Sequence, residues 1–172
     1  MLNENLKLKT IDPNSEEEIL QAIEIEQTEF PPNEACSSKD MRERATKAYE
    51  NFLIAYIGNE VVGYLNGLPT NEEVFRDEFF TDINLYDKNG KNVMLLGLAV
   101  KDKYKMNGIA KAIMLKYIEQ EKSKGRKRMV LTCLPRLVEM YKKFGFKDLG
   151  ISNSVWGGES WHDMEINLDE TR

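Results

Sequence analysis

The sequence is short of the residues that several classes of active site require. Its 172 residues include a single histidine, His162, and only two cysteines, Cys36 and Cys133. One histidine excludes a zinc site built on several histidines, and it allows a Ser-His-Asp triad only if His162 serves it. Two cysteines far apart in the chain indicate free thiols and a reducing cytoplasm. We therefore predict a cytoplasmic protein without a metal centre.

Membrane spans and nucleic-acid binding are also poorly supported. No apolar run reaches the roughly 18 residues that a spanning helix needs, and segment 1–10 lacks the apolar core of a signal peptide. The net charge of −5 argues against a nucleic-acid partner and is compatible with a cationic small substrate. The 41% hydrophobic content predicts one globular domain over residues 1–172. The oligomeric state stays open, and a homodimer is one option.

The pattern of apolar residues predicts a mixed α/β fold. We expect strands at 6–10, 52–57, 61–68, 93–100, 129–134, 146–155 and 161–168, and helices at 15–30, 38–49, 107–124 and 137–144. Segment 93–134 reads as strand, helix and strand, so its two strands should be parallel. The polar, acidic segment 69–91 is predicted to be a long loop with a short helix, and such loops often carry function. The charges from Glu16 to Glu26 are typical of a solvated helix start.

Segment 93–111 carries the clearest functional pattern. It reads as a buried strand, a glycine-marked turn and the start of a helix. The first amides of a helix have no partner within the helix, and the helix dipole adds positive potential there. Gly108 lets a ligand approach the backbone closely, which a side chain would prevent. We therefore predict a phosphate site around Asn107 to Lys111.

These residues resemble the pyrophosphate motif of the GNAT superfamily of acyl-CoA-dependent N-acyltransferases. That motif is Arg or Gln, two residues, Gly, one residue, then Gly or Ala, and here its frame holds Lys105, Met106, Asn107, Gly108, Ile109 and Ala110. Lys105 departs from the family pattern and lacks the planar fork of arginine. Residues 98–100, Leu-Ala-Val, precede the motif as in the family. Residues 139–146 resemble its tyrosine-bearing helix and the Gly-Phe that follows.

The resemblance implies a fold, a cofactor and a set of binding residues. The fold would be a mixed, mostly antiparallel seven-stranded sheet with helices on both faces and a splayed central pair of parallel strands. Acetyl-CoA would lie in the gap between them, against cofactor-binding residues Leu98, Ala99, Val100, Lys105, Met106, Asn107, Gly108, Ile109, Ala110, Lys111, Thr132 and Tyr141. Catalytic roles fall to an amide near Leu98, which would donate to the thioester oxygen, and to Tyr141, whose phenol would donate to the leaving sulfur.

A closer resemblance is to the serotonin (arylalkylamine) N-acetyltransferase branch and its microbial relatives. Segments 26–35, 52–67 and 157–164 carry it. That branch has two histidines on the strand before the Leu-Ala-Val block, where they assist deprotonation of the amine. Here those positions are Met94 and Leu96, so that base is absent. Glu29, Glu34, His162 or a relayed water remain as candidates for the base.

The leading hypothesis is transfer of an acetyl group from acetyl-CoA to the primary amine of a small molecule by direct attack. Direct transfer needs no enzyme nucleophile, so Cys133 is interpreted as a core residue. The substrate would lie among the first two helices, segment 69–91 and the last hairpin, against Phe30, Glu34, Tyr64, Trp156 and Trp161. The alternatives are a protein or peptide amine as acceptor and a non-catalytic acyl-CoA-binding module. A nucleotide site is disfavoured because no Walker pattern follows the glycine turn.

Overall fold

A seven-stranded sheet forms the centre of the structure, a computed structural model that describes residues 5–169. Its strands are β1 (Leu6–Thr10), β2 (Phe52–Ile57), β3 (Glu60–Thr70), β4 (Asn92–Val100), β5 (Arg128–Cys133), β6 (Lys147–Ile151) and β7 (His162–Asn167). They lie in the order β1-β2-β3-β4-β5-β7-β6. Strands β4 and β5 are parallel, and the other neighbouring strands are antiparallel. The predicted fold class is confirmed.

Four α-helices accompany the sheet in the described part of the chain: α1 (Glu16–Glu29), α2 (Ser38–Lys47), α3 (Ile109–Ser123) and α4 (Val138–Lys143). Ser15 caps α1, because its hydroxyl accepts a hydrogen bond from the Glu18 amide at 3.2 Å. The Glu18 carboxylate accepts a hydrogen bond from the Asp12 amide at 2.8 Å. No helix within residues 5–169 combines the length and apolar character that crossing a bilayer requires.

The helices cover both faces of the sheet and create two cores. Side chains alternate between the faces along each strand, so Ile54 and Tyr64 pack on the α1 side, whereas Leu53 and Leu65 pack on the α3 side. Helices α1 and α2 close the first core, and α3 and α4 close the second. Because both faces are covered, central strand β4 is apolar along most of its length, as its sequence predicts.

Strands β4 and β5 separate after a short parallel pairing. Their paired residues are Asn92 with Arg128, Val93 with Met129, and Met94 with Val130. On its other side β4 carries a bulge, since Asn66 pairs with Gly97 and Gly67 pairs with Leu95. Leu96 is therefore an extra residue, and such a bulge bends its strand. The bulge lies where β4 leaves β5, and the expected splay of the central pair is present.

Segment 71–91 joins β3 to β4 and is held in place by ring contacts and by an arginine. It contains two short 3-10 helices, Asp77–Phe80 and Ile83–Leu85. Its buried rings contact one another, with the Phe75 and Phe80 centroids 5.2 Å apart. Arg126, after α3, donates to the carbonyl oxygens of Lys88, at 3.0 Å, and Gly90. The long predicted loop is thus packed against the body of the protein.

Candidate active site

The separation of β4 and β5 opens a cavity of about 570 Å³. Residues 95–100 of β4 and 131–134 at the end of β5 form its two long walls. The turn before α3 closes one end, and the other end is lined by the segment after α1 and by two tryptophans. A concave site of this size, with mostly apolar walls and few polar groups, is typical of a small-molecule site. Leu98, Ala99 and Val100 all lie in this lining, where they were predicted.

The turn before α3 has an unusual backbone. Met106 has a φ of 66° and Gly108 a φ of 76°, so both adopt the left-handed conformation. Gly108 directly precedes Ile109, the first residue of α3, and thereby exposes the unpaired amides of the helix start. The turn residues that line the cavity are Lys105, Met106, Gly108, Ile109, Ala110 and Lys111.

Asn107 is the one residue of the predicted phosphate motif outside the cavity lining in the described structure. Its side-chain nitrogen donates to the carbonyl oxygens of Tyr104, at 3.1 Å, and Lys105, at 3.0 Å. These bonds fix the turn in the conformation that directs its neighbours' amides. We therefore assign the Asn107 side chain to holding the turn, which leaves the predicted phosphate contact to the backbone amides.

The lysines around this turn differ in their availability. Lys105 forms an ion pair with Glu29 at 2.9 Å, and this contact raises the pKa of the Lys105 ammonium. Lys101 and Lys103 form ion pairs with the Glu60 carboxylate, at 2.8 and 3.5 Å. Lys111 is exposed and has no ion pair with any described residue. Lys111 is therefore the cation at the turn that is free to meet an anionic ligand.

Tyr141 presents an unused hydroxyl to the cavity. The residue lies on α4, is 9% exposed and belongs to the cavity lining. Its ring packs edge-on against Phe144 and Phe146, with centroids 6.0 and 5.8 Å away. No group within residues 5–169 forms a hydrogen bond with its hydroxyl. Burial raises the pKa of the phenol, with a smaller contribution from Cys133, so the group keeps its proton at neutral pH.

Thr132, on β5, has a second unpaired hydroxyl. Its Oγ1 atom is buried and has no hydrogen-bond partner among the described residues, and the residue lines the cavity. A buried polar group without a partner costs about 1–3 kcal/mol. Along the same gap, β5 supplies no backbone partner to β4 beyond Met94. The gap therefore offers hydrogen-bonding groups on both walls to an extended ligand.

Glu26 is a buried carboxylate in the cavity lining that the sequence interpretation placed on a solvated helix start. It is 3% exposed. Its Oε1 accepts a hydrogen bond from the Tyr64 hydroxyl, and its Oε2 accepts from the Cys36 amide at 2.8 Å. Burial raises the pKa of the Glu26 carboxyl, and the two hydrogen bonds and the nearby Arg44 charge offset this only in part. A Cβ placed on Gly97 would lie 3.5 Å from Oε1, so the carboxylate sits beneath the β4 bulge.

The sequence contains a pattern that could have identified Glu26. Ile19, Ile23, Glu26 and Phe30 are spaced three or four residues apart, so they share one stripe of α1. A charged residue on such an apolar stripe is a candidate for burial, and a buried charge needs partners. Counting Glu26 with the acidic residues at the helix start concealed this position.

Tyr64 does not take the place predicted for it. It is fully buried and is absent from the cavity lining, with its hydroxyl directed at Glu26. The alternation of β3 turns Tyr64 toward α1 rather than toward the open gap. We therefore correct its assignment from a substrate contact to a residue that holds Glu26.

The far end of the cavity is aromatic. Phe30, Glu34, Trp156 and Trp161, all predicted there, do line it together. The Trp156 indole nitrogen donates to the Glu34 carbonyl oxygen at 2.8 Å, which ties the last hairpin to the segment after α1. Phe80, from segment 71–91, was not assigned from the sequence but also lines this end, with its ring 4.5 Å from that of Trp156.

The predicted base candidates lie in very different surroundings. The Glu29 carboxylate is held by Lys105 and by the Asp102 amide, which donates at 3.1 Å. Burial and the charge of Glu159 raise the pKa of Glu34. His162 lies outside the cavity lining, with its Nδ1 3.0 Å from Asp148 Oδ1.

The cysteines and the absence of a metal-binding cluster among the described residues limit the chemistry at the site. Burial raises the pKa of the Cys133 thiol to about 12, so this residue is not a nucleophile at neutral pH. Both cysteines are free and buried. Histidine, cysteine and acidic side chains in residues 5–169 form no group of three or more that could hold a metal ion.

Comparison with known proteins identifies the family of the chain. Residues 19–146 match the model of the acetyltransferase (GNAT) family. The structure is similar to the loading GNATL domain of CurA from Lyngbya majuscula, with a TM-score of 0.83, 11% identity, and 96% of this chain and 99% of that chain covered.

Two similar structures carry ligands that involve coenzyme A. One is an aminoglycoside 6'-N-acetyltransferase complexed with coenzyme A (TM-score 0.67, 13% identity, covering 96% of this chain and 99% of that chain). The other is Arabidopsis thaliana Naa50 in complex with the bisubstrate analogue CoA-Ac-MVNAL (TM-score 0.69, 17% identity, covering 94% of this chain and 97% of that chain). At such identities the likeness shows a shared fold, whereas the family model matches most of the sequence. The chain therefore belongs to the acetyltransferase (GNAT) family.

Proposed function

We propose that the protein transfers an acetyl group from acetyl-CoA to the primary amine of a small molecule. The observation that carries this proposal is the gap between β4 and β5, whose walls include the unpaired hydroxyls of Thr132 and Tyr141. Acetyl-CoA supplies the acetyl group as a thioester, whose carbonyl carbon is open to attack by an amine. The residues present fit this cosubstrate, because they offer an anion site and a slot with unused hydrogen-bonding groups.

The cosubstrate would be held along the whole gap. The amides at the start of α3 and the Lys111 ammonium would bind its pyrophosphate. The Thr132 hydroxyl and the backbone groups of Leu98 and Val100, which are not bonded to β3, would bind its amide-containing arm. The Leu98 amide would donate to the thioester oxygen and stabilise negative charge there during attack.

Tyr141 would assist departure of the thiol. Its hydroxyl has no hydrogen-bond partner among the described residues and stays protonated, because burial raises its pKa. It can therefore donate to the sulfur as the C–S bond breaks and negative charge develops. General acids of this kind typically contribute about 10²–10⁴-fold to a rate.

We assign removal of the amine proton to Glu26, directly or through a water molecule. Its carboxylate lies beneath the β4 bulge, next to the proposed position of the thioester. A raised pKa brings a carboxylate nearer to the value that suits a general base at neutral pH. Glu29 is less suited because it pairs with the Lys105 cation at 2.9 Å, whereas the groups bonded to Glu26 are the neutral Tyr64 hydroxyl and Cys36 amide.

The acceptor would bind at the aromatic end. Phe30, Phe80, Trp156 and Trp161 form an apolar wall that suits an aryl or alkyl group. This aromatic wall favours a small aryl or alkyl amine, and the resemblance to the arylalkylamine N-acetyltransferase branch supports the same substrate class. The missing histidines of that branch are accounted for by Glu26 acting as the base.

The decisive experiment measures release of free thiol from acetyl-CoA in the presence of a panel of primary amines. We expect acetylated product from at least one aryl or alkyl amine, and loss of turnover in the variant Y141F. Binding of coenzyme A without thiol release from any amine would instead identify an acyl-CoA-binding module. Acetylation of peptides but of no small amine would identify the protein-directed alternative.

A further inference from the structure

Arg136 differs from the other arginines in the structure. It lies in the 3-10 helix Pro135–Leu137 between β5 and α4, is exposed and lines the cavity. Within residues 5–169 its guanidinium has neither a hydrogen bond nor an ion pair. The remaining arginines of that range all bind a carboxylate or a carbonyl oxygen: Arg42, Arg44, Arg76, Arg126 and Arg128.

The unpaired guanidinium belongs to the acceptor end of the cavity. That end also contains Glu34, Trp156 and Trp161. Arg136 is close enough for its charge to lower the pKa of Glu34, although burial and Glu159 leave that pKa raised overall. Arg136 and Glu34 do not form an ion pair, since no guanidinium nitrogen lies within 4.0 Å of a carboxylate oxygen of Glu34. Opposite charges therefore stand apart at the place where the acceptor would bind.

This arrangement selects for a particular chemistry. A guanidinium is always charged and presents a planar fork of donors that matches the two oxygens of a carboxylate. The pyrophosphate of the cosubstrate has its proposed binding groups elsewhere, at the start of α3 and at Lys111.

We propose that Arg136 binds a carboxylate carried by the acceptor, so that the acceptor is an amine with an acid group, such as an amino acid. The inference rests on the proposed acetyl transfer and adds the chemical class of the substrate. In this arrangement the guanidinium donates to the carboxylate, the aromatic wall holds the side chain, and the amine reaches the thioester beside Glu26.

The test compares acceptors that differ only in the acid group. Tryptophan, tryptophanamide and tryptamine form one series, and phenylalanine with its amide and phenethylamine forms another. Rates are compared per unit of unprotonated amine, because the amide lowers the pKa of the neighbouring amine. We expect the free acid to exceed its amide by about tenfold or more in kcat/KM, in line with a charge-assisted hydrogen bond.

Variants of Arg136 separate recognition from folding. R136Q is expected to lower kcat/KM for the free acid by about 10- to 100-fold and to leave that for the amide within twofold. R136K should retain part of the preference, because it keeps the charge and loses the fork. R42Q removes an exposed arginine that pairs with Glu16 away from the cavity and serves as the matched control.

Three results would overturn the inference. They are equal rates for acid and amide, an equal loss on both in R136Q, or a raised KM for acetyl-CoA in R136Q. Turnover of amines without a carboxylate preference would leave the proposed acetyl transfer intact, whereas absence of turnover with every amine would remove both. As a second readout, calorimetry on the coenzyme-saturated protein should show N-acetyltryptophan binding more tightly than its amide, with the difference lost in R136Q.

Discussion

The hydroxyl of Tyr64 donates a hydrogen bond to the carboxylate of Glu26 beneath the bulge of β4. Both residues are buried, and Glu26 reaches the cavity while Tyr64 does not. The bond stabilises the charged form of the carboxylate and thereby lowers a pKa that burial raises. Tyr64 thus sets the pH at which Glu26 can accept a proton.

Replacing Glu26 tests its role as the base. With an acceptor whose amine is neutral above about pH 5, wild-type kcat/KM should rise with pH through an apparent pKa above the ordinary glutamate value of 4.5. The rise occurs because only the carboxylate accepts a proton. E26Q should lose about 100-fold in kcat and show a flat profile, measured by thiol release. An unchanged profile in E26Q would assign the base to another group.

Removing the Tyr64 hydroxyl gives a separate prediction. Y64F takes away a donor to the charged carboxylate, so the pKa of Glu26 should rise and the pH profile should shift to higher pH. The rate at the high-pH plateau should stay within a fewfold of wild type. A shift to lower pH, or loss of the plateau, would contradict this positioning role.

Tyr141 is expected to act on kcat rather than on binding. Because no described residue bonds its hydroxyl, Y141F should keep its fold and melting temperature. We expect kcat to fall by about 100-fold or more, with KM for acetyl-CoA within twofold. Y56F, which removes a phenol that donates to Glu18 instead, is the control and should retain full activity. Normal turnover by Y141F would reject the leaving-group role.

Thr132 should show opposite effects on stability and on binding. T132V removes a buried hydroxyl that has no partner among the described residues, so the free protein should melt a few degrees higher. The same change should weaken coenzyme A binding by about two- to tenfold, as measured by calorimetry. T46V, on the exposed surface of α2, should leave coenzyme binding unchanged. Equal affinity for coenzyme A in wild type and T132V would place the arm elsewhere.

Lys111 should contribute a salt-dependent part of cosubstrate binding. K111Q is expected to raise the Kd for coenzyme A by about three- to tenfold at low salt, and the difference should shrink in about 1 M salt through screening. K116Q, on the same helix but paired with Glu119 at 3.6 Å, is the matched control. Equal effects of the two variants would indicate a general charge effect rather than a phosphate contact.

The features that the sequence predicted depend on local patterns. Strand and helix periodicity located the elements and the parallel pair, and the spacing around Gly108 located the turn before α3. The position of Tyr141 came from the resemblance of residues 139–146 to the tyrosine-bearing helix of the GNAT superfamily. These features survive folding because each is encoded within a few residues of chain.

The features that were missed depend on how distant segments meet. The burial of Glu26 is set by where α1 crosses β3 and β4, and the Phe80 contact depends on the path of segment 71–91. His162 was a base candidate by residue type, but the pairing of β6 with β7 brings it to Asp148. Except for Glu26, which lies on an apolar stripe of α1, these relations have no local signature in the chain.

The brief pairing of β4 with β5 has a mechanical consequence. Within residues 5–169, the strand pairing that joins the half-sheet β1 to β4 to the half-sheet β5 to β7 runs only from Asn92 to Met94 on β4. A ligand in the gap between β4 and β5 would form hydrogen bonds with both half-sheets. The protein should therefore be more rigid with the ligand bound than without it. Amide hydrogen exchange of Leu131 to Cys133 should therefore be slower in the loaded protein than in the empty one.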